Sequence, residues 1–319
     1  MNVARVPDAA EVRRAAARIA PHAAVTPVLT VPALDAAVGA RLFFKCEHLQ
    51  VSGAFKFRGA CNAVWSLDTE TAARGVVTHS SGNHGHALAR AAATRGMTAH
   101  VVVPDGAVRA KVAAIEAAGA IVHRCAPTQA AREAAAAAVQ KDTGAALIHP
   151  YADARVMAGQ GTAALELLHQ AGTLDALITP VGGGGLASGC AVIGHALAPD
   201  LALYAAEPAG ADDAARSLAE GRRVTSVVPD TLCDGLRATI GEPNLAAFRD
   251  HRITVLTVDD EATIAAMQRL WQHLKHTVEA SSATVLAALI AHRDRFAGQR
   301  IGIVLTGGNV DLDRLPWQT

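Results

Sequence analysis

The stretch DALITPVGGGGLASG occupies residues 175–189 and joins an apolar strand pattern to a helix pattern through four consecutive glycines. A short continuous apolar run that leads directly into a helix is typical of a buried parallel strand in an α/β sheet. Four successive glycines are costly in chain entropy, but their backbone amides can surround a phosphate closely. The stretch therefore predicts an α/β fold with a phosphate site at the end of a central strand.

The same stretch allows a second interpretation. Gly182, Gly184 and Ala187 satisfy the GxGxx(G/A) pattern of dinucleotide-binding domains, and Glu207 ends the next predicted strand. In that pattern an acidic residue about 20 positions later binds the ribose of a nicotinamide cofactor. A single match of this kind has low specificity, so a nicotinamide-dependent dehydrogenase stays open at this point.

Strand and helix patterns alternate on both sides of this stretch, which predicts mostly parallel sheets covered by helices. The predicted strands cover 75–80, 100–104, 120–125, 146–150, 175–181 and 201–207.

Composition narrows the class of protein. The chain has 319 residues, of which 51% are hydrophobic, so it can form one large or two modest domains. A formal net charge of zero and an aromatic content of only 3% argue against a nucleic-acid partner. No segment has the apolar character of a secretory signal or a membrane span, and the five cysteines form no CxxC pair. These features predict a cytoplasmic protein with reduced thiols and no membrane partner.

A lysine lies in an apolar setting in SGAFKFRGA, residues 52–60, where Phe55 and Phe57 flank Lys56. Partial burial lowers the pKa of a lysine, as a Schiff-base lysine requires. The alternative is a lysine whose ammonium group reaches water along an apolar surface. This motif alone leaves both interpretations open.

A polar loop follows the predicted strand 75–80 in THSSGNHGHALA, residues 78–89, and opens a helix. Free amides and the helix dipole favour an anion at a helix N-terminus, so Ser80, Ser81 and Asn83 predict a carboxylate or phosphate site. A simple helix cap would need only one such residue.

Two further turns follow predicted strands. Glu207, Asp212 and Asp213 lie in AAEPAGADDAA, residues 205–215, and carboxylates of this kind bind hard divalent cations, although Asp also caps helices. Thr306 begins TGGN after the apolar run 301–305. A side chain at the carboxyl end of such a strand can face a ligand, although the glycines are also consistent with a simple turn.

Taken together, SGAFKFRGA, SSGNHG, GGGG and TGGN occur in the order and spacing of one family. The chain resembles the serine/threonine dehydratase and serine racemase family of fold-type II, tryptophan-synthase-β-like pyridoxal-phosphate enzymes. The resemblance extends over about 26–312 and includes the segments 149–166 and 234–237. It implies an α/β fold with two open, twisted, mostly parallel sheets flanked by helices.

The resemblance also implies a division into domains. A discontinuous large domain, 1–71 and 151–319, would bind pyridoxal 5'-phosphate. A small domain, 72–150, would carry the loop for the substrate carboxylate and close over the substrate.

Each motif gains a role from the resemblance. Lys56 would bind the cofactor covalently and act as the catalytic base, and Ser81 would be a second acid/base residue on the opposite cofactor face. The cofactor contacts would come from Phe55 and Lys56, from Asn83 at the phenolic oxygen, from Gly182, Gly183, Gly184 and Gly185 at the phosphate, and from Thr306 at the pyridine nitrogen.

The substrate and metal residues follow in the same way. Substrate binding would involve Ser80, Ser81, Asn83, His84 and Arg132. A second substrate carboxylate would need a guanidinium, and the position of Arg132 in the family favours it over Arg237. A divalent cation, Mg²⁺, Ca²⁺ or Mn²⁺, would be bound by Glu207, the carbonyl of Ala211 and Asp213.

The implied activity is a dehydratase that eliminates water from a small β-hydroxy-α-amino acid to give a keto acid and ammonia. The candidate substrates are serine, threonine and threo-3-hydroxyaspartate, and the family suggests a homodimer. An amino-acid racemase that uses Lys56 and Ser81 is the alternative. Two departures from the racemase pattern argue against it, because Tyr151 replaces an asparagine and Ala238 replaces a serine. A dehydrogenase would leave Lys56 and the TGGN turn unexplained.

Overall fold

The computed structural model describes residues 4–107 and 109–318 and consists of strands and helices that alternate along most of the chain. The strands are β1 (Val28–Leu29), β2 (Arg41–Cys46), β3 (Val76–Thr78), β4 (Ala99–Pro104), β5 (Ile121–Cys125), β6 (Ala146–Leu147), β7 (Ala176–Pro180), β8 (Ala202–Pro208), β9 (Thr254–Val258) and β10 (Arg300–Leu305). The α-helices are α1 (Ala9–Ile19), α2 (Pro32–Val38), α3 (Lys56–Trp65), α4 (Thr69–Ala73), α5 (Asn83–Thr94), α6 (Arg109–Ala117), α7 (Gln129–Thr143), α8 (Ala154–Ala171), α9 (Gly185–Leu197), α10 (Asp213–Glu220), α11 (Glu242–Asp250), α12 (Asp260–Leu274), α13 (Ala280–Ala291) and α14 (Arg293–Phe296).

The larger sheet has six strands in the order β1-β2-β10-β7-β8-β9. All neighbours pair in parallel except β1 and β2, which are antiparallel. The sheet combines strands from both ends of the chain, and β10 lies between β2 and β7. Such a central strand is buried on both faces, which agrees with the continuous apolar pattern of its sequence.

The second sheet has four strands in the order β5-β4-β3-β6, all parallel. Its strands come from one continuous part of the chain, whereas β2 and β7 of the larger sheet flank that part. The predicted α/β fold with two mostly parallel sheets is confirmed. The domain limits at 72 and 150 stay a prediction.

Helices cover both faces of the larger sheet. One apolar core lies between the sheet and α2, α12 and α13, and the other lies between the sheet and α1, α8, α9 and α11. A third core joins α3 and α5 to the second sheet, so α3 links the two parts. No helix in the described ranges combines the length and apolar character needed to span a membrane.

Glycines allow α8 and α9 to pack closely. A Cβ atom at Gly189 of α9 would collide with the carbonyl oxygen of Met157 in α8, and one at Gly161 would collide with the carbonyl oxygen of Gly189. Only glycine lets two helix backbones approach at this separation. This contact fixes the position of α9 and therefore that of the glycine loop, residues 182–185, which leads into the helix.

Candidate active site

A cleft of about 840 Å³ lies where the carboxyl ends of strands from both sheets meet. Open parallel sheets bind ligands at this edge. The predicted catalytic, cofactor and substrate residues all line the cleft: Phe55, Lys56, Ser80, Ser81, Asn83, His84, Arg132, Gly182, Gly183, Gly184, Gly185 and Thr306. The predicted metal residues are not among the lining residues.

Lys56 is the first residue of α3, and its side chain is half-buried in the cleft. Its Nζ atom donates a hydrogen bond of 3.1 Å to the carbonyl of Pro150 and lies 5.0 Å from the centre of the Phe55 ring. Burial lowers the pKa of Lys56 to about 8, against an opposing effect of the Glu279 carboxylate. The amine is therefore partly neutral near physiological pH, as a nucleophile or base must be.

This pKa gives a testable pH dependence. Only the neutral amine attacks an aldehyde. The reaction of Lys56 with pyridoxal phosphate, the cofactor that the family resemblance implies, should therefore accelerate about tenfold per pH unit below pH 8 and level off above it. Stopped-flow absorbance at several pH values measures the rate. A rate that keeps rising up to the ordinary lysine pKa of 10.5 would contradict a perturbed Lys56.

The glycine loop follows β7 and ends at α9. The amides of Gly182, Gly183 and Gly184 make no hydrogen bond with any residue in the described ranges. A Cβ atom at Gly183 would collide with the ring of Tyr151, so the loop has room only for glycine there. Unpaired amides at a helix N-terminus suit a phosphate group, and the residues present therefore fit a phosphorylated cofactor.

Thr306 lines the cleft together with Phe55 and Lys56. Thr306 directly follows β10 and is buried, and its carbonyl accepts a 2.9 Å hydrogen bond from the amide of Phe55. This bond ties the TGGN turn to the lysine motif. The Thr306 side chain contributes a neutral hydroxyl to the cleft, whereas an acidic or basic residue at this position would contribute a charge.

The SSGNHG loop connects β3 to α5. The amides of Ser81, Gly82 and Asn83 make no hydrogen bond with other described residues, and the helix N-terminus faces the same cleft. This arrangement can bind a carboxylate through backbone N–H groups and the helix dipole.

A buried carboxylate that no sequence motif reveals lies next to this loop. Glu279 precedes α13 and accepts hydrogen bonds from Asn83 Nδ2 at 2.9 and 3.2 Å. Asn309 Nδ2 in turn donates to Asn83 Oδ1 at 2.9 Å, so both ends of the Asn83 amide are fixed. Burial raises the pKa of Glu279. In the sequence Glu279 resembles an ordinary helix-start residue, whereas in the structure its contact with Asn83 and its position in the cleft lining place it in the site.

His79, His84 and Tyr151 line the cleft, and a third histidine, His149, packs against two of them. His149 makes edge-to-face contacts with His79 and Tyr151, at centroid distances of 5.3 and 4.6 Å. Burial lowers the pKa of His79 and His84, and it lowers that of His149 to about 4. These imidazoles are therefore neutral at physiological pH and add no charge beside Lys56.

The two candidate arginines for a second substrate carboxylate differ in their surroundings. Arg132 is half-buried, and its Nε atom is buried without a hydrogen-bond partner among the described residues. Arg237 is exposed, and its Nε and Nη2 atoms both donate to the carbonyl of Thr231. Arg132 is thus the better placed of the two to receive a ligand.

The acidic turn lies at the end of β8, outside the cleft. Glu207 is fully buried and accepts hydrogen bonds of 2.8 and 2.9 Å from the amides of Ala214 and Ala215. Burial raises the pKa of Glu207 to about 8 and that of Asp213 to about 6. No group of three or more His, Cys, Asp or Glu side chains suited to a metal occurs in the described ranges. Glu207 also does not line the cleft that contains the glycine loop, which removes the support for the dinucleotide interpretation.

The chain matches the protein family described as pyridoxal-phosphate dependent enzyme over residues 19–307. It is 44% identical to the beta-hydroxyaspartate dehydratase of Paracoccus denitrificans (strain Pd 1222) over 312 residues, which cover 98% of this chain and 99% of that protein. It is 47% identical to a serine racemase of Arabidopsis thaliana over 313 residues, which cover 97% and 95%. The structure of maize serine racemase superposes with a TM-score of 0.94 at 43% identity, covering 97% of this chain and 95% of that one.

Proposed function

The chain belongs to the pyridoxal-phosphate-dependent enzyme family, and we propose that it is a dehydratase acting on a small β-hydroxy-α-amino acid. The products would be a keto acid and ammonia. The observation that carries this proposal is the position of Lys56, a half-buried amine with a pKa lowered to about 8 in the cleft that the glycine loop lines. The 44% identity to a beta-hydroxyaspartate dehydratase supports the same reaction class.

The chemistry divides between the cofactor and the protein. When bound, pyridoxal phosphate supplies an electron sink that stabilises negative charge at the substrate α-carbon. The free Lys56 amine would take the α-proton, because its pKa lies near physiological pH. Ser80, Ser81 and the N-terminus of α5 would hold the substrate carboxylate, and this fixes the α-hydrogen relative to Lys56.

Thr306 would meet the pyridine nitrogen of the cofactor and would thereby influence the outcome of the reaction. A hydroxyl at the pyridine nitrogen is a neutral partner, whereas an aspartate would hold that nitrogen protonated and strengthen the electron sink. A weaker sink favours prompt loss of the β-hydroxyl or return of the proton over amino transfer. Elimination or racemisation is therefore expected in place of transamination.

A racemase is the second candidate function. Racemisation needs an acid on each face of the substrate, and Ser81 lines the cleft together with Lys56. Identities of 47% and 43% to serine racemases favour this alternative. Elimination needs only the Lys56 base.

Keto-acid release identifies the substrate. We expect L-serine, L-threonine or L-threo-3-hydroxyaspartate to yield one ammonia for each keto acid, measured by coupled dehydrogenase assays. Absence of keto acid from all three, in enzyme with its cofactor bound, would contradict the dehydratase proposal.

Arg132 is proposed to bind the second carboxylate of a dicarboxylic substrate. Arg132→Ala should lower kcat/KM for 3-hydroxyaspartate by about 10- to 150-fold relative to serine, because hydrogen bonds to charged groups contribute about 1.5–3 kcal/mol. Arg237→Ala is the matched control and should leave the ratio of the two kcat/KM values, 3-hydroxyaspartate to serine, as it is in the unmodified enzyme. An unchanged ratio in Arg132→Ala would exclude this role.

A divalent cation at Glu207, Asp213 and the carbonyl of Ala211 is also proposed. Two buried carboxylates that form no ion pair in the described ranges support it. Hard divalent cations bind carboxylate and carbonyl oxygens, so two acidic side chains and one carbonyl form a suitable set of ligands. The cation would order the loop before α10 without contacting substrate. A cytoplasmic homodimer stays the expectation from the family resemblance.

Removal of this cation should loosen the fold. A cation present at 100 times its Kd stabilises the folded state by about 2.7 kcal/mol, so a chelator should lower both the Tm and the activity, and Mg²⁺, Ca²⁺ or Mn²⁺ should restore them. Differential scanning fluorimetry and metal analysis measure this. Full stability and activity in excess chelator, with metal shown to be absent, would contradict the site.

A further inference from the structure

Arg223 carries an unused guanidinium at the edge of the cleft. It lies in the segment after α10, is half-buried and lines the cleft. Its Nε atom donates a 2.6 Å hydrogen bond to the carbonyl of Ile240. Among the described residues it has no carboxylate partner within ion-pair distance and no second hydrogen bond. The guanidinium is therefore anchored at one atom, and its two terminal nitrogens are available to a ligand.

The anchor of Arg223 belongs to the segment that supports the glycine loop. The amide of Gly241, next to Ile240, donates a 3.2 Å hydrogen bond to the carbonyl of Gly183. The Ile240 side chain also lies against Gly184, where a Cβ atom would be 3.4 Å from Ile240 Cγ1. Arg223 is thus tied to the backbone that shapes this loop.

Tyr151 lies against the same glycine loop. The Tyr151 ring packs on Gly183, and its hydroxyl has no hydrogen-bond partner in the described part of the chain. Arg223 reaches the same glycine through Ile240 and Gly241, and both Tyr151 and Arg223 line the cleft. A neutral phenol donor and a cation therefore face the same end of the cleft.

Charge balance indicates what this pair would bind. The glycine loop offers amides and a helix dipole but no formal charge, whereas a phosphate ester carries about −1.5 to −2 at pH 7. Apart from Lys56, the other cationic side chains that line the cleft bond to other residues or belong to a helix that packs against the second sheet. Lys111 pairs with Asp234, Arg237 is bonded to Thr231, and Arg132 belongs to α7.

We propose that Arg223 and Tyr151 complete an oxyanion site at the glycine loop and that its ligand is the phosphate of the cofactor. A guanidinium forms strong charge-assisted hydrogen bonds to phosphate, and the phenol adds one further donor. The inference rests on the cofactor that family membership assigns and not on the choice of amino-acid substrate. A distal carboxylate of a dicarboxylic substrate is also an oxyanion with the same hydrogen-bonding chemistry. The experiment therefore has to distinguish this carboxylate from the cofactor phosphate.

Cofactor affinity provides the test, independent of turnover. Kd values of the apoenzyme would be measured by absorbance titration with pyridoxal phosphate and with pyridoxal, which lacks the phosphate. Arg223→Met should weaken pyridoxal phosphate binding by about 10- to 150-fold and leave pyridoxal binding unchanged. Tyr151→Phe should weaken only the phosphorylated ligand, by a smaller factor. Arg222→Met, which removes an exposed arginine paired with Glu220 next in the chain, is the matched control and should change neither Kd.

Two results would overturn the proposal. In the first, Arg223→Met and Arg223→Lys lose affinity for pyridoxal phosphate and for pyridoxal to the same extent. This would mean that the hydrogen bond from Arg223 to Ile240 only supports the loop. Unchanged Kd values combined with a selective rise in KM for 3-hydroxyaspartate would assign Arg223 to the substrate carboxylate. Partial recovery of pyridoxal phosphate affinity in Arg223→Lys, with pyridoxal unaffected, would support the phosphate assignment.

Discussion

Replacement of Lys56 by alanine is expected to lower turnover of the hydroxy amino acid by at least about 10³-fold. Lys56 supplies both the covalent attachment of the cofactor and the base for the α-proton, so both functions disappear together. The glycine loop is unchanged in Lys56→Ala, and the variant should still bind pyridoxal phosphate without a covalent bond. Borohydride reduction followed by peptide mass spectrometry should then find no modified lysine.

A second lysine of the same cleft serves as the control. Lys111 lies on α6, forms an ion pair with Asp234, and also has a pKa that burial lowers. Lys111→Ala should keep full borohydride trapping at Lys56. Trapping at another lysine in Lys56→Ala, with turnover preserved, would show that the nucleophile has been misassigned.

Loss of Arg58 should have the largest effect on stability. Arg58 lies two residues after Lys56 in α3 and is fully buried. It donates to both carboxylate oxygens of Glu47 at 2.7 Å and to those of Glu166 at 2.7 and 2.8 Å. Arg58→Met would leave Glu47 buried without its cation, and such a loss costs about 3–5 kcal/mol. Urea unfolding of the holoenzyme measures the change.

The pH dependence of this effect has a defined sign. In the native protein burial alone would raise the pKa of Glu47, but the charge and hydrogen bonds of Arg58 outweigh it and hold the pKa below its ordinary value. Without Arg58 burial dominates, so folding would then take up a proton on Glu47. The stability deficit of Arg58→Met should therefore shrink as the pH falls toward about 5.

Arg74 provides the exposed counterpart. Its ion pair with Glu70 is at the surface of α4, and Arg74→Met should cost at most about 1 kcal/mol. If Arg58→Met were no more destabilising than Arg74→Met, the buried network would have no part in holding α3 and Lys56 in place.

Local patterns in the sequence predict the strand ends that form the cleft. The glycine tetrad and the SSGNHG loop each follow an apolar run and open a helix, and the structure has β7 before α9 and β3 before α5 at these places. The sequence pattern predicts no strand over β2, however, because Lys45 interrupts its apolar run. Lys45 is fully buried there and bonds to Glu166 at 2.5 Å, a partner 121 residues away.

Two residues of the candidate site are also not predictable from local sequence patterns, because their roles depend on contacts formed in the folded chain. Glu279 joins it through Asn83, 196 residues earlier, and Arg223 through the carbonyl of Ile240. Neither residue lies in a motif of its own. Contacts of this kind arise from the folded arrangement of the two sheets, whereas the glycine and lysine motifs are visible because backbone geometry restricts the residues that fit them.

The partition between elimination and racemisation tests the central claim most directly. Each of L-serine, L-threonine and L-threo-3-hydroxyaspartate would be incubated with the holoenzyme, and keto acid and the product inverted at the α-carbon would be measured in the same sample by coupled assay and chiral chromatography. We predict that keto acid exceeds the inverted amino acid for the preferred substrate. Rapid formation of the inverted amino acid with little keto acid would contradict a dehydratase and identify a racemase.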